Sequence, residues 1–301
     1  MANGKSIRIY LDAGDVSGIR YAEVVNWTGQ ALLCPRARIS ELSSWSDEIQ
    51  RPGVYFLIGA DQLTTREVYV GESESVLERL QQQLAEKDFW QEAVAVTSKD
   101  ENLTKAHVRF LEARLVELTG QAGRYRVVNG NQPGRPGLPR PDRDAMEEFL
   151  GHLRLLLGAL GHRMLEPLLD GKSKEPGSNA EASQLTFTVR NAKAQGVVTD
   201  EGFVVLKGST ALAQMNQSMS SYAAFKTELI KEGKLSGTGD LLTFGEDVLF
   251  SSPTAAAAII SGSSTNGRVA WRNAQGVTLK QLEEMQSKQE SAAMGLPAAT
   301  E

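Results

Sequence analysis

Two tyrosines, an arginine and a glutamate are the residues of this chain whose types and spacing could do chemistry. Tyr55 and Tyr69 lie in two short strand-like runs, and Arg79 and Glu112 follow in two helical stretches. Cleavage of a phosphodiester needs a metal that polarises the phosphate, an activated water and a cation that meets the developing negative charge. Glutamate can bind Mg²⁺, arginine can hold phosphate oxygens bidentately, and a tyrosine hydroxyl can relay a proton. The four residues therefore predict a metal-dependent phosphodiesterase centre.

An antiparallel hairpin is predicted to position the two tyrosines. Residues 53–59 form an apolar run bounded by glycines, and residues 67–70 return as a second strand after a polar connection. A helix follows, and Ser75 and Glu78 give it a capping-box pattern. Arg79 and Gln83 share a face of this helix that differs from its apolar stripe.

A second helix is predicted to carry the glutamate. It runs from Glu101 or Leu103 to Thr119, and Gly120 is a natural C-terminal glycine. Glu112 falls within its apolar stripe, where a carboxylate is costly unless it meets a cation, a metal or several donors. After this helix, residues 125–129 form a possible third strand.

The ordered set resembles the signature of the GIY-YIG nuclease family over about residues 53–133. Gly53-Val54-Tyr55 corresponds to the first motif and Tyr69-Val70-Gly71 to the second, and valine replaces isoleucine in both. Some restriction-type members of the family have a histidine four residues after the arginine, where this chain has Gln83. A proton relay through a histidine is therefore in doubt here.

The resemblance implies a role for each residue of the site. Tyr55 corresponds to the tyrosine that activates the nucleophile, and Glu112 to the glutamate that binds Mg²⁺ or Mn²⁺. Tyr69 and Arg79 complete the centre. Asn129 fits the place of a later asparagine that often supports it.

Structural explanations stay open beside the catalytic one. The tyrosine rings could simply belong to the core. Arg79 and Glu112 could form a buried structural ion pair, in which case the protein would have the nuclease fold but no activity. We interpret His107, His152 and His162 as structural residues.

Five arginines near the end of this region could follow a DNA backbone, or could keep a solvated arm soluble. They are Arg124, Arg126, Arg135, Arg140 and Arg143.

The C-terminal part restarts with strand-like runs after a polar stretch. Residues 203–209 and 250–256, followed by Asn266-Gly267 and Trp271, resemble an uncharacterised domain often found behind such nucleases. The same pattern is similar to RAMA-type domains, which are associated with restriction and DNA modification. We interpret Trp271 and Phe250 as core residues, because both lie beside apolar runs.

The strand-like and helical stretches along the chain predict a mixed α+β protein, and the composition fits a reducing compartment. Cys34 is the only cysteine, so no disulfide can form within the chain, and no apolar stretch is long enough to span a membrane. The net charge of −5 argues against indiscriminate coating of nucleic acid. We therefore expect a cytoplasmic protein without a membrane anchor.

Five segments are predicted. These are an N-terminal β-rich element (1–50), a small nuclease-like sheet with flanking helices (51–133), an arm with a long helix and polar linker (134–183), a separate α+β domain for DNA recognition (184–285) and a flexible tail (286–301).

Three functions follow as hypotheses from these observations. The first is a metal-dependent endonuclease that hydrolyses DNA, in restriction, defence or DNA processing. The second is a catalytically inactive nucleic-acid-binding protein, such as a reader of modified DNA, on the same scaffold. An adaptor that works through the helix of residues 145–169 is a third possibility, supported only by a leucine-rich stripe.

Overall fold

The fold is mixed α+β and divides into two compact units, Met1–Pro167 and Leu168–Glu301. The computed structural model describes residues 4–60, 66–131, 133–134, 136–169, 184–216 and 219–293. No helix within these described ranges is both long and apolar enough to cross a membrane.

A seven-stranded sheet forms the centre of the first unit, in the order β1-β2-β3-β6-β4-β5-β7. Its strands are β1 (Ile7–Leu11), β2 (Arg20–Val24), β3 (Gly29–Pro35), β4 (Gly53–Ala60), β5 (Arg66–Ser73), β6 (Trp90–Ser98) and β7 (Arg126–Val127). All neighbours are antiparallel except β5 and β7, which run parallel. The predicted hairpin is therefore confirmed as β4 and β5, with β5 close to one edge.

Helices cover both faces of this sheet. One face packs against a 3₁₀ helix (Arg36–Trp45), α1 (Ser46–Ile49) and α2 (Val76–Glu86), and the other against α3 (Lys105–Ala122) and α4 (Arg140–Ala159). Strand β4 alternates between the two: Tyr55 and Leu57 join the first core, and Phe56 joins the second. Burial on both faces explains why this strand reads as a continuous apolar run.

Several helix ends differ from the sequence-based expectation. Helix α3 continues through Gly120 and ends at Gly123, whose φ of 66° is left-handed and suits a residue without a Cβ. Helix α2 begins after Ser75, but the Ser75 side chain accepts no capping hydrogen bond, so the predicted capping box is wrong. Helix α4 begins at Arg140, because Pro141 is tolerated in the first turn, and it ends ten residues before the predicted Leu169.

The first unit joins stretches that the sequence reading separated. Strand β3 pairs with β6 from Gly29 to Pro35, so the N-terminal strands extend the same sheet that carries the tyrosine hairpin. Helix α4 packs into the core of that unit as well. Pairing between strands so far apart in sequence leaves no local signal. The sequence therefore contains no indication that the predicted segments 1–50 and 51–133 share one sheet.

The second unit contains two small sheets and four helices within the described residues. One sheet has the order β14-β10-β9-β8 and the other the order β11-β13-β12. Their strands are β8 (Gln184–Val189), β9 (Ala192–Thr199), β10 (Gly202–Val205), β11 (Thr210–Leu212), β12 (Leu235–Ser236), β13 (Leu241–Phe244) and β14 (Val248–Phe250). The helices are α5 (Ser220–Lys231), α6 (Pro253–Ser261), α7 (Gly267–Ala270) and α8 (Leu279–Ala293).

Local signals in the second unit are partly confirmed. Serine directly before proline predicts the start of a helix, and Ser252 caps α6 through a hydrogen bond from the Ala255 amide; the left-handed Gly262 ends this helix. Trp271 and Phe250 are buried in the core, also as predicted. Val269-Ala270-Trp271 has the residue types of a short strand, but residues 267–270 form the short helix α7. Helix α8 (Leu279–Ala293) includes the first residues of the predicted flexible tail.

Candidate active site

The ring of Tyr55 lies directly on Gly71. The two residues face each other across β4 and β5, and a Cβ added to Gly71 would lie 2.4 Å from both the ζ carbon and the hydroxyl oxygen of Tyr55. A side chain at residue 71 would therefore exclude the tyrosine from its place. The glycine of the second motif thus serves a packing purpose that the sequence pattern alone does not reveal.

The two tyrosines and Arg79 meet on this face of the sheet. The rings of Tyr55 and Tyr69 are 6.1 Å apart, and the Tyr55 hydroxyl lies within hydrogen-bonding reach of both the Tyr69 hydroxyl and the Arg79 guanidinium. Arg79 also donates to Gln82 Oε1 at 3.0 Å. Three of the predicted site residues are therefore neighbours, connected through the Tyr55 hydroxyl.

The environment of Tyr55 favours its protonated form. Its side chain is 1% exposed, and burial raises its pKa well above the ordinary range, with the neighbouring Tyr69 as a further cause; Arg79 acts in the opposite direction. At neutral pH Tyr55 is a phenol that shares hydrogen bonds, not a phenolate. Tyr69 is half-buried and connects this hydroxyl towards the surface.

Glu112 approaches the outer edge of β5 from α3. Its carboxylate accepts a hydrogen bond from the backbone N–H of Glu72, the residue after Gly71. Burial, together with the nearby Glu72 carboxylate, raises the pKa of Glu112 to about 7, although Arg109 opposes the shift. Glu112 therefore contacts β5 at the residue that follows Gly71, from the face of the sheet opposite to the tyrosine pair.

The alternative of a buried ion pair between Arg79 and Glu112 is wrong. The carboxylate partner of Arg79 is Glu86, at 3.6 Å. Within the described residues, no ion pair within 4.0 Å forms at Glu112. The cation near the carboxylate on the apolar stripe of α3 is Arg109, which lowers its pKa without forming an ion pair within 4.0 Å among the described residues.

Asn129 lies further along the same edge. Its Oδ1 accepts from the Val70 amide at 3.0 Å, and its Nδ2 donates to the Val70 carbonyl at 2.7 Å. The side chain thus continues the pairing of the short β7, in which Val128 donates to Val68. Both polar groups of the Asn129 side chain bond to the backbone of Val70. Asn129 therefore supports the site by stabilising the position of β5.

An open pocket of about 330 Å³ adjoins this edge. Glu72 and Arg79 line it, and Lys105 contributes a second cation that pairs with Glu74 at 2.6 Å. The pocket therefore contains three carboxylates, Glu72, Glu74 and Glu78, beside two cations. Arginine and lysine can bind a phosphate, and carboxylates can bind a divalent cation.

Four neighbours of the site were not identified from the sequence as contributors. Gln83, fully buried, donates to Glu86 Oε2 at 2.7 Å, so an amide fills the place of the histidine found in some nucleases. The Lys87 ammonium lies 4.5 Å from the centre of the Tyr69 ring. Glu72 has no sequence signal as a site residue, because its contact with Glu112 depends on the packing of α3 against β5. His107 caps α3 together with Thr104, a box that normally has Glu or Gln at this position.

The five arginines proposed as DNA contacts differ in their surroundings. Arg124 donates to the carbonyls of Glu166 and Pro167, and Arg126 pairs with Glu67. Arg140 and Arg143 are exposed in the first turn of α4, near Asp144. Arg135 lies outside the described residues. The structure therefore gives Arg124 and Arg126 packing roles.

The donor set is compatible with Mg²⁺ or Mn²⁺. Among the described residues no group of three or more His, Cys, Asp and Glu could hold a metal. Mg²⁺ keeps several waters and is commonly held by one or two carboxylates together with substrate phosphate. Glu112, which has the Glu72 carboxylate near it, fits this smaller requirement, and of the two only Glu72 lines the open pocket.

Comparison with known proteins identifies one part of the second unit. Residues 185–283 match the family described as a domain of unknown function (DUF4357). The match agrees with the expected C-terminal domain of unknown role, but does not extend to residues 53–133, whose resemblance to GIY-YIG nucleases stays a prediction. No curated protein and no solved structure matches the chain.

Proposed function

We propose that this protein is a metal-dependent endonuclease that hydrolyses phosphodiester bonds of DNA, in restriction, defence or DNA processing. The observation that carries the proposal is that β4, β5 and α2 bring Tyr55, Tyr69 and Arg79 together, while Glu112 reaches the outer edge of β5 at the Glu72 amide. A structural carboxylate in such a place would normally meet a cation. Among the described residues Glu112 makes no ion pair within 4.0 Å, although Arg109 lowers its pKa, and this favours a carboxylate that is completed by a ligand.

The residues have distinct parts in the proposed reaction. Arg79, on the wall of the pocket, binds the scissile phosphate and meets its developing negative charge. Glu112 holds Mg²⁺ or Mn²⁺, which when bound polarises the phosphate and makes water a better nucleophile. Tyr55 keeps its proton, fixes the guanidinium of Arg79 through its oxygen, and shares a hydrogen bond with Tyr69.

Tyr69 connects this buried pair to the surface. Because it is half-buried, it can orient the attacking water and pass a proton outwards, a task that Tyr55 at 1% exposure cannot do alone. The second unit is proposed to contact DNA, and the single, buried Cys34 suits a reducing compartment, which we propose is the cytoplasm.

A cleavage assay tests this proposal. Supercoiled, linear and single-stranded DNA are incubated with the full chain and Mg²⁺ or Mn²⁺, and then with EDTA. We expect nicking or cleavage that EDTA abolishes. Tyr55→Phe should lower the rate by about 10²-fold or more, the scale of a lost catalytic hydrogen bond, whereas Tyr10→Phe, at an exposed tyrosine, should not.

Two results would point elsewhere. Cleavage that persists in EDTA contradicts the metal. Binding of DNA without cleavage, across all substrates and both metals, favours the inactive reader of nucleic acid instead.

A further inference from the structure

A second pocket lies in the first unit, apart from the candidate active site. It has a volume of about 270 Å³ and is lined by the end of β4, the starts of β5 and β6, and the residues that follow α4. None of the described residues that line it also lines the pocket beside Arg79. Pockets for drug-sized ligands begin at about 300 Å³, so this one suits a small molecule or a single chemical group.

His162 is the buried polar side chain of this second pocket. It is 6% exposed, and its Nδ1 lies 3.3 Å from the Tyr125 hydroxyl. Its Nε2 lies 3.4 Å from Glu92 Oε2, an ion-pair distance, but forms no hydrogen bond within the described residues. Buried polar atoms normally have a hydrogen-bond partner, and one without a partner costs free energy. A ligand in the pocket can supply that partner.

Arg66 gives the pocket a cation whose donors face a ligand. Its Nη1 donates to the Tyr125 hydroxyl at 2.7 Å. A guanidinium has five N–H donors in a planar fork, and within the described part of the chain only Nη1 has an acceptor. The rest of the fork is therefore available to a ligand.

Tyr125 also determines which nitrogen of His162 carries the proton. Its hydroxyl accepts from Arg66, so its own hydrogen can be donated to Nδ1. A neutral imidazole that accepts at Nδ1 carries its hydrogen at Nε2. His162 is then a donor at Nε2, like the free part of the Arg66 fork.

The charges around the pocket favour an anion. Glu92 is the acid among the described lining residues, and both of its oxygens face other groups: Arg20 lies 3.3 Å from Oε1, and His162 lies 3.4 Å from Oε2. Two permanent cations, Arg20 and Arg66, and an ionisable imidazole therefore surround one carboxylate. A phosphate offsets the excess positive charge, and its oxygens match the arginine fork.

We propose that this pocket binds a phosphate group, which the Arg66 fork and the Nε2–H of His162 hold together. Arg20 stays paired with Glu92 and so shields the phosphate from that carboxylate. The site is independent of the proposed cleavage and needs no metal. Free phosphate, a mononucleotide and the backbone of DNA offer the same chemistry, and the experiment separates these sources.

Nuclear magnetic resonance can follow the His162 imidazole directly. Inorganic phosphate is added at constant pH to the full chain in EDTA, without metal or DNA. The chain has three histidines, and His162→Gln assigns the signal. We expect the His162 signal to move with phosphate and to saturate, while the signal of His152, which does not line the pocket, stays in place.

Substitutions at Arg66 test the fork. Arg66→Gln should weaken phosphate binding by at least about tenfold, since hydrogen bonds to charged groups contribute on that scale. Arg66→Lys keeps the charge without the fork and should retain part of the affinity. Arg38→Gln is the matched control, because it removes the same charge from a half-buried arginine outside the pocket. Circular dichroism confirms that each variant is folded.

The outcomes separate this site from the candidate active site. Arg79→Gln should titrate like the native chain, whatever the cleavage assay shows. A His162 signal that does not move, that responds equally weakly in Arg66→Gln and Arg38→Gln, or that is lost in Arg79→Gln would overturn the proposal.

Two further probes identify the source of the phosphate. The titration is repeated with deoxyadenosine monophosphate and with a single-stranded oligonucleotide. If the mononucleotide binds tightest through Arg66, the site is for a free nucleotide; if the oligonucleotide does, it is for the DNA backbone. If neither exceeds inorganic phosphate, the site is for the free anion.

Discussion

At the scale of single residues, the candidate site depends on how closely Tyr55 approaches Gly71. The hairpin register puts the two opposite each other, and the absent side chain at residue 71 leaves room for the ring. The Tyr55 hydroxyl then lies over β5, where Arg79 and Tyr69 reach it. Gly-Val-Tyr and Tyr-Val-Gly are thus two halves of one packing arrangement.

Gly71→Ala tests this arrangement directly. The new methyl group would lie 2.4 Å from the Tyr55 ring, so the ring must move. We expect a loss of about 1–3 kcal/mol in the free energy of unfolding, as for other overpacked cores, and a loss of the proposed cleavage. Chemical denaturation and the plasmid assay measure the two effects.

Gly120→Ala is the control for that variant. Gly120 is exposed within α3, and nothing lies within 4 Å of the added methyl group. We expect a gain of about 0.5–1 kcal/mol from helix propensity. Equal behaviour of the two alanine variants would contradict the packing account.

Glu112 is expected to cost stability when it is ionised. Its pKa of about 7 lies above the ordinary 4.5, so between these values the folded state binds more protons than the unfolded state. The free energy of unfolding therefore falls as pH rises through this window. Glu112→Gln, which can still accept from the Glu72 amide, should raise the Tm at pH 8 by about 2–4 °C, equivalent to roughly 1 kcal/mol, and should have little effect at pH 4.5.

Differential scanning fluorimetry without metal at the two pH values measures this. A Glu112→Gln variant that is less stable than the native chain at pH 8 would show that the carboxylate is a stabilising structural residue. That result would favour an inactive scaffold.

At the scale of elements, the outer edge of β5 is the organising feature. Strand β7 is only two residues long, and Asn129 extends its pairing by using a side chain in place of backbone. Past Asn129 along this edge, the Glu112 carboxylate accepts a hydrogen bond from the Glu72 amide. A short partner strand thus leaves the position where the metal is proposed open to α3.

Asn129→Ala should loosen this edge. It removes two hydrogen bonds to the Val70 backbone, each worth about 0.5–1.5 kcal/mol net. We expect the free energy of unfolding to fall by about 1–2 kcal/mol and the amide of Val70 to exchange faster with deuterium. Asn131→Ala, at an exposed residue on the same stretch, should change stability by less than about 0.5 kcal/mol. Equal effects of the two substitutions would show that Asn129 does not hold the strand.

Local sequence patterns predicted the helices and strands of the site better than they predicted the ends of those helices and the contacts between them. The hairpin, the helix with Arg79 and the helix with Glu112 follow from nearby apolar periodicity and turn residues. The ends of α3 and α4 were missed, because glycine inside a helix and proline in its first turn are both tolerated. The role of Glu72 could not be predicted, since it arises from a contact with a helix that lies far along the sequence.

At the scale of the whole molecule, two units with separate cores share one chain. The C-terminal domain predicted at residues 184–285 lies within the second unit; in the sequence a polar stretch precedes it and its own apolar runs restart afterwards. The predicted division at residue 50 of the first unit crosses one sheet, because β3 and β6 pair across distant sequence. Long-range pairing is the information that one sequence lacks.

The second unit contains a buried lysine that should give it a distinct response to pH. Lys226 is 3% exposed, bonds to the carbonyls of Leu212 and Ile259, and has a pKa lowered by burial to about 8. Between this value and the ordinary 10.5, the unfolded state binds more protons. Its contribution to stability therefore rises with pH through that window.

Comparison with Lys226→Met isolates this effect. The Tm difference, native minus variant, should increase from pH 7 to pH 10 when measured by thermal unfolding of the full chain. Other lysines titrate equally in both proteins and cancel. A Tm difference that stays constant, or falls, over this range would contradict the lowered pKa.

The central claim is that the candidate site formed by Tyr55, Tyr69, Arg79 and Glu112 cleaves DNA through a metal held by Glu112. The most direct test is the Mg²⁺-dependent relaxation of supercoiled plasmid by Glu112→Gln, compared with Glu117→Gln on the same helix, where the carboxylate pairs with Arg114 instead. The account predicts that Glu112→Gln stays folded and loses cleavage, while Glu117→Gln cleaves like the native chain. Cleavage by Glu112→Gln at the native rate would contradict it.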